Sequence, residues 1–212
     1  MLELGIKTLL AYLLGSVLGS QVMGRLRGVD IREQGSGNAG GTNALRTQGW
    51  RFALGVVVID VGKALLAVGV LPGLALPGVD IDPAVDRGWL AVACAAAVVV
   101  GHVYPVWYEF RGGKGAATLI GAVAMLAPAA LLPVFAVWLA CVMLTGYVGL
   151  GTMLATLALP VWFAIAQPGN TAVLLFGLAM AAFIAYTHRS NIARMRAGNE
   201  HRARRLWLLR PQ

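Results

Sequence analysis

Charge is what this chain has least of: charged residues fill 12% of its 212 positions, and only nine of them are acidic. Several runs carry none for the roughly 20 residues that a helix needs to cross about 30 Å of hydrocarbon. With 58% of residues hydrophobic, against about 45 to 50% in an average soluble protein, an ordinary globular fold is excluded. Cysteine is also scarce. Cys94 and Cys141 sit inside apolar runs without partners at metal-ligand spacing, so they read as small buried hydrophobes rather than as a disulfide or a zinc site. There is no internal repeat of about 20 to 50 residues and no low-complexity segment, which excludes a solenoid.

What remains is a succession of apolar runs: Leu4 to Met23, Phe52 to Leu71, Gly88 to Trp107, Ala116 to Ala127, Ala129 to Thr145, Tyr147 to Ala166 and Thr171 to Tyr186. They predict an all-α, polytopic membrane protein of about seven transmembrane helices, some of them short, as one integral membrane domain over 1–212. The first run is longer than a secretory h-region and arginines follow it, so it is expected to stay as an uncleaved span. Gly15, Ser16, Gly19 and Ser20 make a small-residue stripe on it, read as a helix-packing face.

The net charge of +8 suits anionic lipid or anionic substrates, and its distribution says more. Arg25, Arg27, Arg32, Arg46 and Arg51 lie between the first two runs, Arg111 and Lys114 between the third and fourth, and seven arginines from Arg189 to Arg210 in the tail. The connection from Pro72 to Arg87 instead carries Asp80, Asp82 and Asp86. The positive-inside rule therefore expects the amino terminus outside and the arginine-bearing segments in the cytoplasm. Only an even number of crossings between Lys114 and the tail keeps both there, which favours two short helices flanking Pro128. Ala116 to Ala127 extends about 18 Å, so that helix is expected to start below the surface, inside a cavity.

Three polar islands break this background, all on the expected cytoplasmic side. The first is GSGNAGGTN, Gly35 to Asn43, followed by Arg46; the second is GHVYPVWYEFRGGKGAAT, Gly101 to Thr118; the third is THRSNIARM, Thr187 to Met195, with Gly198 and Glu200 beyond. Glycines admit a ligand close to the backbone, and successive N–H groups in such a turn form a nest for an anion; the plain alternative is a flexible surface turn. Gly112, Gly113, Lys114 and Gly115 stand directly before a short helix, so amides, the positive dipole end and one ammonium point at one spot. The plain alternative there is a helix start with an interfacial lysine. No Walker A loop is present, because Tyr108 replaces its first glycine and Gly115 its Ser or Thr. His188 stands beside Arg189 and Asn191 in a donor-rich segment. Asp60 and Lys63 fall inside the second run, where a charge costs about 2.5 to 3.5 kcal/mol; pairing with each other at i,i+3 is favoured over Asp60 holding a cation of the site.

Together, GSGNAGGTN with Arg46, GHVYPV and RGGKG, and HRSNI with Gly198 and Glu200 closely resemble the three motifs of the bacterial acyl-phosphate:glycerol-3-phosphate acyltransferases, the PlsY family. The resemblance covers essentially the whole chain, with Gly41 standing where relatives usually carry alanine. It implies transfer of an acyl group from acyl phosphate to the 1-hydroxyl of glycerol 3-phosphate, giving lysophosphatidic acid and inorganic phosphate for phospholipid biosynthesis in the bacterial inner membrane. It further implies that Ser36, Arg46, Lys114, His188 and Asn191 are catalytic, and that Gly35, Gly37, Asn38, Gly40, Thr42, Asn43, His102, Gly112, Gly113 and Gly115 contact substrate. No metal, organic cofactor or nucleic acid is called for. The H-x-x-x-x-D signature of other glycerol-phosphate acyltransferases is absent, since Trp107 follows His102 by five residues and Ala193 follows His188. A phosphate or organophosphate transporter is the alternative, because short helices and glycine-rich anion loops suit it too.

Overall fold

The computed structural model describes residues 1–209, and the chain divides into two compact units, Met1–Leu126 and Ala127–Gln212. Arg210, the last of the tail arginines, lies outside the described residues. Among the described residues the architecture is all-helical. The only strand-like feature there is a single bridge between Leu76 and Val79.

The first unit contains α1 (Leu2–Gly15), α2 (Gly19–Arg27), α3 (Gly41–Gln48), α4 (Trp50–Gly69), α5 (Arg87–Val103) and α6 (Ala116–Leu126). The second contains α7 (Leu131–Thr145), α8 (Val148–Ala166), α9 (Thr171–Thr187) and α10 (Arg189–Arg196). Among the described residues five stretches are long and apolar enough to cross a bilayer: Leu2–Arg27, Trp50–Gly73, Arg87–Tyr108, Pro128–Thr145 and Val148–Ala166. α9 and α10, bent by 51°, pass the same test only together and make a sixth if the pair is one broken span. α6 has 11 residues, about 16 Å of rise, so the expected seven is reached only by counting this short helix.

In the first unit α1 packs on α5 and α4 on α6, and the glycine stripe sets how closely. A methyl group at Gly15 would run into the Val98 carbonyl, one at Gly101 into that of Tyr12, and one at Gly19 into that of Val56. Only a hydrogen fits where backbone meets backbone, as expected of a packing stripe.

The first span is not the continuous helix that its hydropathy suggests. It breaks over Ser16, Val17 and Leu18, and two charges from α4 satisfy the broken ends. Lys63 Nζ donates to the carbonyls of Gly15 (2.7 Å) and Val17 (2.7 Å), while Asp60 Oδ1 accepts from the Gly19 N–H (3.1 Å). A cation thus sits at a helix C-terminus and an anion at a helix N-terminus, the arrangement favoured both by the unpaired backbone groups and by the helix dipoles. Asp60 and Lys63 are also paired with each other at 3.1 Å.

At the opposite end of α1, Glu3 accepts from Lys7 (2.8 Å), from both terminal nitrogens of Arg87 (2.7 Å each) and from the Asp82 N–H (2.9 Å). Lys7 also donates to the Pro72 carbonyl at 2.9 Å, and Asp86 caps α5 by accepting from the Trp89 N–H. The acidic connection is thereby folded onto the start of α1.

In the second unit α8 packs between α7 and α9. A methyl on Gly177 would touch the Pro160 backbone at 3.1 Å, which brings α9 against the proline-bearing stretch of α8. The tail folds back on this unit. The Ala203 N–H donates to the Gly146 carbonyl, Trp207 donates to the Leu144 carbonyl, and the Arg202 guanidinium lies over the rings of Tyr147 (4.4 Å) and Trp207 (4.2 Å). Cys94 and Cys141 are both buried and unbridged, as expected.

Candidate functional site

The first polar island is a turn built around Asn43, which opens α3. Asn43 Oδ1 accepts from the Ser36 N–H (3.0 Å), and its Nδ2 donates to the carbonyls of Ile31 (2.9 Å) and Gln34 (3.0 Å). Both amide hydrogens are used inside the loop, so this buried side chain organises the turn from within. Gly35 and Gly37 have φ of +57° and +71°, the left-handed region that glycine enters without cost from a Cβ. The side chains of Ser36, Thr42 and Arg46 are exposed around this frame, with Asn38 half-buried and Gly40 at the start of α3.

Upstream, Asp30 caps a 3-10 turn and forms a bidentate pair with Arg32, with a closest distance of 2.7 Å. The Arg32 guanidinium holds the Asp30 carboxyl down at about 2 from an ordinary 3.8, and the carboxylate raises Arg32 in turn. Arg32 also lies over the Tyr108 ring (5.8 Å) and donates to the Arg111 carbonyl (3.5 Å), so the segment leading into the first island touches the second.

The second island leaves α5 and folds back on it. The Gly112 N–H donates to the Val103 carbonyl and the Gly113 N–H to the His102 carbonyl, each at 3.1 Å. Tyr12 donates to the Tyr104 carbonyl (2.8 Å) and the Val106 N–H to Ser16 Oγ (3.3 Å), tying the segment to the break in the first span. Gly115, at φ +88°, turns the chain into α6, where the Leu119 N–H returns to its carbonyl at 2.8 Å. The first amides of α6 have no acceptor within the helix and open onto the turn that carries half-buried Lys114.

Beneath this turn lies a buried ionic cluster. His102 Nδ1 is 2.9 Å from Lys63 Nζ and 3.3 Å from Asp60 Oδ1, and the three residues are 2%, 4% and 1% exposed. The sequence reading paired Asp60 with Lys63 but missed the connection to His102. Its available signal was a third polar side chain inside an apolar run, and no local spacing joins that run to α4.

The third island is not a loop: His188 is the joint between α9 and α10. A carbonyl only accepts, so the 2.8 Å contact to the Ile184 carbonyl makes His188 Nδ1 a donor and leaves Nε2 as the acceptor in the neutral ring. Asn191 Nδ2 donates to Glu200 Oε1 (2.6 Å), and Arg194 Nε donates to Glu200 Oε2 (2.6 Å). Gly149 packs against the same amide, so the orientation of Asn191 is fixed from two sides.

Ser36, Arg46, His102 and Lys114 therefore belong to the first unit, together with both glycine turns, while His188 and Asn191 belong to the second. Within the first unit the segments leading into the two turns touch through Arg32, Tyr108 and Arg111, and the second is tied to the end of α1 remote from Glu3. Positive-φ glycines, α6 amides and cationic side chains at that end suit a phosphate-bearing ligand. Among the described residues no three His, Cys, Asp or Glu side chains group as metal ligands would.

Known proteins agree with this reading of the chain. The family model described as glycerol-3-phosphate acyltransferase matches residues 6–198. Glycerol-3-phosphate acyltransferases of Chlorobaculum parvum and Aquifex aeolicus are each 39% identical, over 91% of this chain and 93% and 95% of their own lengths. The crystal structure of PlsY, an integral membrane glycerol 3-phosphate acyltransferase, in its glycerol 3-phosphate form superposes with a TM-score of 0.80 at 35% identity, covering 94% of both chains. Its lysophosphatidic acid form gives 0.79 at 33% identity, covering 96% and 97%. With the match extending over nearly all of its length and including the glycine turns, the chain belongs to the glycerol-3-phosphate acyltransferase family of integral membrane enzymes, the PlsY family.

Proposed function

We propose that this protein transfers the acyl group of an acyl phosphate to the 1-hydroxyl of glycerol 3-phosphate, releasing lysophosphatidic acid and inorganic phosphate. The proposed setting is the bacterial inner membrane, with the site facing the cytoplasm, the amino terminus outside and the carboxyl terminus inside. The observation that carries the reading is that, within the first unit, the segment leading into one glycine turn touches the segment leading into the other, through Arg32, Tyr108 and Arg111. Two phosphate-bearing reactants call for two adjacent anion sites, and glycine turns supplied with Arg46 and Lys114 suit that need.

In this scheme the amides of Gly35 and Gly40, with Gly37, Asn38 and Thr42, line one phosphate site, and Asn43 shapes it. Gly112, Gly113 and Gly115 with Lys114 line the other. Arg46 offers a bidentate fork and Lys114 a point charge. Ser36, His188 and Asn191 are assigned catalytic roles, with Glu200 fixing the Asn191 amide.

The alcohol oxygen forms a bond to the acyl carbon as the bond from that carbon to the phosphate oxygen breaks. The hydroxyl proton passes to a substrate phosphate oxygen, whose second pKa is near 6, and the departing phosphate carries away the electron pair. Positioning and electrostatic stabilisation of the acyl oxyanion are the main contributions of the protein. A histidine base is the competing scheme. It requires near-complete loss of turnover, with a changed pH profile, in His188→Gln or His102→Gln.

The decisive assay uses purified wild-type and Lys114→Ala protein with palmitoyl phosphate and glycerol 3-phosphate. Phosphate release by the wild type alone is expected. Wild-type turnover with acyl-CoA as sole donor would overturn the donor assignment, and accumulation of unmodified glycerol 3-phosphate in proteoliposomes would restore the transporter reading.

A further inference from the structure

We propose that His102, held by Lys63, is a positioning residue that sets the shape of the Gly112–Gly115 turn and so places Lys114 and the first amides of α6 for a substrate phosphate. This rests on the reading above that the turn holds phosphate. It gives His102 an indirect role in place of the direct substrate contact expected from sequence.

Two nitrogens 2.9 Å apart need one hydrogen between them. The Lys63 ammonium has three; Gly15 and Val17 take two, and the third is directed to His102 Nδ1, with Asp60 Oδ1 alongside at 3.1 Å. With Nδ1 accepting, the proton of the neutral imidazole resides on Nε2. That is the edge against which the turn rests, because a methyl group on Gly113 would fall on His102 Nε2 itself. The same residue holds the turn through its main chain, where its carbonyl accepts from the Gly113 N–H. His102 thus grips Gly113 from ring and backbone at once, one residue before Lys114.

Capping the broken first span accounts for Lys63 and Asp60, whose groups reach Gly15, Val17 and Gly19. It does not account for the imidazole, which caps neither end. Nor does stability account for it, since a buried ionic group is often matched or surpassed by an apolar side chain of similar volume. What the ring does that an apolar side chain would not is join a fixed charge on α4 to the underside of a glycine turn.

The test is a mutant cycle in the purified full chain with His102→Asn, Gly113→Ala and the double variant. KM for each phosphate substrate, kcat and the thermal midpoint are measured. The asparagine amide reaches the Nδ1 position but leaves the Nε2 position empty. His102→Asn is expected to raise KM for at least one phosphate substrate about tenfold while kcat stays within about threefold and the midpoint is unmoved. Gly113→Ala is expected to be worse, and the double variant better than Gly113→Ala by about fivefold, because the vacated space admits the methyl group. Single defects that simply multiply in the double variant would overturn the inference, as would a fall in kcat and midpoint at unchanged KM. Should Gly113→Ala leave both KM values unchanged, the phosphate assignment of the turn fails first. Should His102→Asn not fold, His102→Gln replaces it: its amide still fills the Nε2 position, so any rescue of Gly113→Ala would overturn the inference.

Discussion

Glu3, Lys7 and Arg87 at one end of α1, and Asp60, Lys63 and His102 at the other, are both ionic clusters in an apolar chain, yet they are built differently. Both Glu3 oxygens are saturated, by Lys7, Arg87 and the Asp82 amide, and everything joined there is the start of α1 and the connection into α5. At the other end Asp60 Oδ2 is buried without a partner among the described residues, and the cluster reaches a broken helix on one side and a glycine turn on the other. A saturated cluster fastens two segments. An incompletely satisfied one, kept in place of cheaper apolar packing, marks where structure is subordinate to chemistry.

The largest expected effect divides the clusters most sharply. Lys63→Met leaves the buried Asp60 carboxylate without its ammonium partner and uncaps two carbonyls, which is expected to cost about 3 to 5 kcal/mol of stability in thermal or denaturant unfolding. A Lys63→Met, Asp60→Leu double variant recovers only the part due to the unpaired carboxylate, since the ends of the broken span stay uncapped, and it remains impaired in turnover. Next, Lys114→Ala raises the barrier by about 2.7 to 4 kcal/mol, read as kcat/KM, with the unfolding midpoint unchanged. Glu3→Gln is expected to do the reverse, lowering the midpoint by several degrees while kcat and both KM values remain those of the wild type. A turnover defect there would erase the distinction between the two ends.

The smallest effect belongs to Asp30 and Arg32, a partly exposed pair. Since Asp30 titrates lower when folded, the pair contributes its full stability above about 3.8 and loses it as pH falls towards about 2. The contribution is below about 1 kcal/mol. Unfolding measured from pH 6 to 3 should therefore show a slight loss in the wild type that Asp30→Asn lacks.

Hydropathy made the spans legible, and the Gly15 and Gly19 stripe announced a backbone contact, because both depend on local composition. The break at Ser16 to Leu18 was not legible. No proline marks it, the Gly15–Ser16 and Gly19–Ser20 pairs that flank it read equally as a packing stripe, and its cause lies about 45 residues away in α4. The third island was legible as a polar cluster but not as a helix, since RSNIARMR lacks an apolar stripe and owes its order to Asn191, Arg194 and Glu200. Likewise GSGNAGGTN was visible as a glycine turn, while its second half, from Gly41 onward, is already α3. The Glu3 and Lys7 pair had an i,i+4 signal, but Arg87 as its third member is a tertiary fact.

The bend in the first span is not encoded in residues 1–27. Exposed to hydrocarbon, the carbonyls of Gly15 and Val17 and the amide of Gly19 would each be heavily penalised, and the simplest relief is to close the ladder and run straight. The bent form finds its capping groups in the second span, which the ribosome delivers later. Inserted alone into a bilayer, this segment should be longer, and spin labels flanking Val17 would read a greater separation than in the intact protein.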